Sequence, residues 1–137
     1  MIRALAVIAA LGLQAAGLPV RTIDRGSQSG IEAPRQVVVT SAETFAALWR
    51  EHSMKPAPDV DFTREAVVAV FLGSRQTAGF SVDIVSVTRQ STGTVVTYRE
   101  DAPSPDAVTA QVLTFPYVVA AVEGLTPPVR FETLRQQ

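Results

Sequence analysis

Residues 66–90 read AVVAVFLGSRQTAGFSVDIVSVTRQ, and the change of period along this stretch decides the fold. Ala66 to Leu72 is apolar without interruption, the mark of a strand buried on both faces. After the interval from Gly73 to Gly79, Phe80, Val82 and Ile84 alternate with Ser81 and Asp83. Val85 and Val87 then take over the opposite phase, which predicts a second strand with a bulge or strong twist near Ile84. Thr94 to Glu100 returns as a strand after the turn residues Gln90 to Gly93, completing a hairpin. Two more β segments follow. Ala110 to Val122 is a long element interrupted by Pro116, which cannot donate to a ladder and belongs at an edge or bend. Val129, Phe131 and Thr133 end the chain as an edge strand.

On the N-terminal side, Val37, Val38 and Val39 form a β-branched run suited to a strand. Thr40 and Glu43 have the spacing of a capping box, and Phe45, Leu48, Trp49 and His52 then fall on one helical face until Met54, Pro56 and Pro58 close it. Trp49 reads as a core anchor and His52 as a cation beside the helix's carbonyl pole. One helix against many strands predicts an α+β fold: an antiparallel sheet curled into a sandwich or open barrel with one N-terminal helix. The stretch RTIDRGSQSGIEAPR at 21–35 is polar, broken by Gly26, Gly30 and Pro34, and shows no sustained period. It reads as a tether. Before it, Arg3 precedes an apolar run from Ala4 to Leu13, with Ala15, Ala16 and Gly17 after it, the layout of a signal peptide. The expected organisation is a signal peptide at 1–17, a polar tether at 18–35 and the domain at 36–137. The mature chain is expected in the periplasm, at the cell surface or outside the cell, without membrane insertion after cleavage.

Composition removes whole classes of chemistry. Twelve basic against 13 acidic residues give a net charge of -1 with no basic block, so nothing grips a phosphate backbone and nucleic acid is not an expected partner. There is no cysteine, which excludes disulfides and thiolate nucleophiles or metal ligands. His52 is the only histidine, placed on a helix and away from any sharp strand-to-helix serine turn. Asp59, Asp61 and Glu65 form a small acidic cluster that lacks the glycine and remaining ligands of a calcium loop. No metal, cofactor or enzymatic activity is expected.

The informative loop is Gly73-Ser74-Arg75-Gln76-Thr77-Ala78-Gly79. It is too long for a tight turn, and a strand follows it where a phosphate-binding loop would need a helix. Up-and-down connectivity places the connection from Asp101 through Pro103 and Pro105 to Val108 at the same end, so the two loops should be neighbours. Pro103 and Pro105 stiffen the second loop, which lowers the entropy lost on binding. Arg75 at that end either meets a partner or bridges Asp101 or Asp106.

From Val37 to Phe131 the chain resembles the C-terminal domain family of PrcB, the accessory subunit of a secreted protease complex. The resemblance rests on Thr40-Ser41-Ala42-Glu43 with Phe45, Leu48 and Trp49, on the apolar strand at 66–72, and on Gly73, Arg75, Thr77 and Gly79 of a G-x-R-P-T-G-G-Y stretch. Gln76, Ala78 and Phe80 replace that stretch's proline, glycine and tyrosine. The Pro103 loop and Gln111, Thr114, Pro116 and Tyr117 also resemble family positions. A more local similarity links residues 75–80 to the N-P-T-T-G-Y or F loop of chagasin-like cysteine-peptidase inhibitors. The first resemblance implies an exported, non-enzymatic module that associates with, stabilises or helps mature a secreted bacterial peptidase. The alternatives are a peptidase inhibitor using the 73–80 and 101–108 loops, and a structural or ligand-binding envelope domain. The expected partner contacts are Arg75, Gln76, Thr77, Phe80, Pro103 and Pro105, with Gly73 and Gly79 shaping the loop.

Overall fold

The computed structural model describes residues 16–134; most of the signal-peptide pattern lies outside the described residues. Two four-stranded sheets pack face to face. One has the order β1 (Ala16–Gly17), β5 (Ser81–Gln90), β6 (Gly93–Asp101), β8 (Val129–Thr133). The other has the order β2 (Val20–Gly26), β7 (Tyr117–Glu123), β4 (Glu65–Phe71), β3 (Arg35–Val39). Helix α1 (Ala42–His52) is the only helix among the described residues. This is the expected α+β sandwich, with two separate sheets and no closed barrel. No helix among the described residues is long and apolar enough to cross a membrane.

The layering explains the uninterrupted apolar run at 66–72. Val67, Ala69 and Phe71 of β4 join Val119 of β7 and Phe45, Leu48 and Trp49 of α1 in one core. Val68 and Val70, with Val118, Ala120 and Val122, face the opposite way, toward Val82, Val87 and Val96 of the other sheet. Strands β4 and β7 are therefore covered on both faces, and each apolar side chain removed from water contributes about 1.5–3 kcal/mol. The register of β5 on β6 shifts between Ile84 and Ser86, the irregularity the phase change predicted.

Several expectations need correction. The segment 18–35 is no tether, because Val20 to Gly26 pairs with β7 along its whole length as an edge strand. The turn of α1 begins at Ser41, whose hydroxyl accepts from the Thr44 amide, so the cap is one residue later than Thr40. The fifth β segment is shorter than Ala110 to Val122: β7 starts after Pro116, and Ala110 to Leu113 are irregular. Strand β8 does lie at an edge, but it runs parallel to β6.

Candidate functional site

The β4–β5 loop and the long β6–β7 connection meet at one end of the sandwich, as the meander required. The Arg75 amide donates to the Thr114 carbonyl at 2.8 Å, the Thr114 amide donates back at 2.9 Å, and the Ala78 amide donates to the Ala110 carbonyl at 3.0 Å. The buried Thr114 hydroxyl adds a bond to the Thr77 carbonyl at 3.0 Å. Gly79 has φ +99°, and a Cβ there would sit 2.9 Å from Pro103 Cβ. Only glycine lets the two loops approach so closely in that backbone conformation. Gly73, at φ +81°, is likewise pressed on Pro34.

A third loop, between β2 and β3, joins this end. The Phe115 amide donates to the Ser27 carbonyl at 2.8 Å, the Ser29 amide donates to the Phe115 carbonyl at 3.1 Å, and Gln28 Nε2 donates to the Leu113 carbonyl. The sequence pointed to two loops here because residues 27–34 read as part of a tether.

Arg75 is the strut of the assembly. Its Nε and Nη2 donate to the two carboxylate oxygens of Glu100 at 2.7 and 2.9 Å, and Nη1 donates to the carbonyls of Leu72 and Ser74. The ring of Phe80 lies 5.9 Å from the guanidinium carbon, within cation–π range. Hydrogen bonding to Glu100 holds the guanidinium pKa above the ordinary arginine value, while burial opposes the rise. The carboxylate that meets Arg75 is thus Glu100; the expected partners were Asp101 or Asp106. Thr77, Phe80 and Pro103 are half-buried, whereas Gln76 and Pro105 are exposed. The exposed apolar side chains of this end sit elsewhere: Val108 is fully exposed, and Val112 and Leu113 are about half exposed.

Residues 66–123, which span β4, both loops and β7, match the PrcB C-terminal family. Over these residues the chain is similar to that family. Among curated proteins none matches the chain, and among solved structures none does either. The PrcB match includes Gly73, Arg75, Thr77, Gly79, Thr114 and Pro116, the residues that knit the loop end together, while β2, β3 and α1 complete the sandwich from outside it.

A second cluster, mostly outside the matched segment, was not visible in the sequence. His52 is buried, with Nδ1 2.8 Å from Ser29 Oγ and Nε2 2.9 Å from Asp24 Oδ2. Tyr117 donates to Asp24 Oδ1 at 3.0 Å, and burial, followed by that bond and the Asp24 charge, pushes its hydroxyl pKa up to about 12. A register shift between Thr22 and Asp24 puts Asp24 opposite Val119 on the helix-covered face, where the bulge re-aims it toward His52. The two ring nitrogens thus engage Ser29 and Asp24 on opposite sides of the imidazole, and the Ser29 hydroxyl also accepts from the Ile31 amide at 2.9 Å. The residue types are those of a hydrolytic triad. The Ser29 and Gly30 amides donate to the carbonyls of Phe115 and His52, so neither is left to stabilise an oxyanion. The cluster closes as a clasp joining β2, α1 and β7, which makes His52 more than a helix-end cation.

Proposed function

We propose that the chain is an exported, non-enzymatic protein-binding module that associates with a secreted peptidase and stabilises it or helps it mature. The observation that carries this reading is the PrcB C-terminal match over residues 66–123, which coincides with the cross-linked loop end. Rigid loops on a sheet scaffold are where binding residues concentrate, because little order remains to be imposed on association. The amides at Ser29 and Gly30 are already hydrogen-bonded, which supports binding over catalysis for the Ser29–His52–Asp24 cluster. Association is favoured over inhibition because Arg75 and Thr77, within the loop resembling the inhibitors, spend their polar groups on Glu100, Leu72, Ser74 and Ala78. Export rests on the residue pattern of positions 3–17.

The test is affinity isolation of the tagged full chain from its native host, followed by mass spectrometry of what is retained. A peptidase held at constant stoichiometry, from the envelope or the medium, is the expected result. Retention of no peptidase overturns the reading.

A further inference from the structure

The Arg75 clamp turns the residues first expected to touch a partner inward, which leaves the question of what the loop end presents. Between Ala102 and Pro116 the chain carries one ionisable residue, Asp106, in APSPDAVTAQVLTFP. Val108 is fully exposed, Val112 is 46% exposed and Leu113 is 54% exposed. These three are not scattered side chains on a loose loop. The Ala107 amide closes a turn on the Ser104 carbonyl at 2.9 Å, just before Val108. Val112 and Leu113 lie between the backbone ties at Ala110 and Thr114, and the Leu113 carbonyl is held by Gln28.

We infer that residues 104–113 form a preorganised docking loop whose Val108, Val112 and Leu113 side chains enter an apolar cleft on a separate protein partner, the peptidase of the proposed function. The inference rests on that reading for the identity of the partner. Charge argues for a protein over a lipid surface. An anionic membrane recruits through Lys and Arg, and this loop has neither, while Asp106 would be repelled. Apolar anchors held by ties outside the contact are what a small, largely uncharged interface needs, since a few buried side chains dominate binding. The ties also assign the family-like positions their work: Arg75, Thr77, Gly79 and Thr114 position the loop and do not themselves touch the partner.

The experiment places the photo-crosslinking residue p-benzoylphenylalanine in the full chain in its native host, at Val108, at Leu113, and at the exposed Thr92 of the β5–β6 turn at the other end. Adducts with one peptidase from Val108 and Leu113, absent from Thr92, are expected. In parallel, the double variant Val108→Asp with Leu113→Asp should melt as the parent does and retain that peptidase at least tenfold less well. An adduct from Thr92 alone, or retention by the double variant within twofold of the parent, overturns the docking loop while leaving peptidase association standing. Adducts from Val108 to lipid or to a second copy of this chain overturn the assignment of the occupant. No peptidase adduct from any position, with none retained by the parent chain, overturns the functional reading together with this inference.

Discussion

Replacing Arg75 by alanine separates a strut from a contact residue. The guanidinium makes two charge-assisted bonds to Glu100 at 2.7 and 2.9 Å and two more to main-chain carbonyls at 3.1 and 2.9 Å. A hydrogen bond to a charged group contributes about 1.5–3 kcal/mol when shielded, while a fully exposed ion pair contributes about 0–1 kcal/mol. The Arg75 and Glu100 side chains are 27% and 30% exposed, between these limits and nearer the first. Arg75→Ala should therefore cost about 2 kcal/mol, and Glu100→Gln about 1 kcal/mol because Arg75 keeps its two carbonyls. In a domain of this size about 2 kcal/mol lowers the melting temperature by about 6–10 °C. Thermal melts followed by circular dichroism, in a cycle with the Arg75→Ala/Glu100→Gln double variant, measure both the loss and the coupling, expected near 1 kcal/mol. If Arg75→Ala melts within about 2 °C of the parent, or the two changes simply add, the strut is refuted.

The buried clasp predicts that His52→Ala costs about 3 kcal/mol or more, because it opens a cavity against Tyr117 and Trp49, whose rings lie 4.3 and 4.9 Å away, and removes one hydrogen-bond partner each from Asp24 and Ser29. Denaturant unfolding measures it. A fluorophosphonate serine probe should leave the wild-type protein unlabelled, since the Ser29 and Gly30 amides are already hydrogen-bonded; labelling lost in Ser29→Ala would reinstate a triad. Gly79→Ala should cost about 1–3 kcal/mol through its positive φ, with thermal melting as the readout. The hydrogen bonds of Arg21 to Glu65 and of Thr63 to Asp61 lower both carboxyl pKa values in the folded state. Their stabilisation is present above the unfolded values of about 4 and disappears as pH falls through the folded ones. Arg21→Ala should accordingly flatten the loss of stability on acidification, as read by melting temperature from neutral to strongly acidic pH.

What the sequence made legible follows the range of the signal. The double-sided burial of β4, the apolar face of α1, the hairpin and the irregularity near Ile84 each belong to local patterns of period 2 or 3.6, and all appear in the structure. Strand β2 escaped because an edge strand with a bulge buries too little of itself to alternate; every residue from Val20 to Gly26 stays exposed or half-buried. The parallel pairing of β8 depends on where the chain returns after β7, and nothing within Val129–Thr133 encodes that direction. The adjacency of the two loops was recoverable from connectivity. The choice of Glu100 over Asp101 was not, because a shift of one residue along β6 moves a side chain to the other face. The His52 clasp joins Asp24, Ser29 and Tyr117 from three separate segments, and the polar character that suggested a tether is what concealed two of its members.

The most direct test of the account is a stoichiometric titration of the retained peptidase with the purified full chain, following turnover of a peptide substrate and the half-life of that activity. A saturable complex at a fixed ratio, with turnover preserved and the half-life lengthened, is the predicted result. Turnover that falls to zero at one equivalent would make the chain an inhibitor, and turnover and half-life both unchanged at saturating chain would contradict the account altogether.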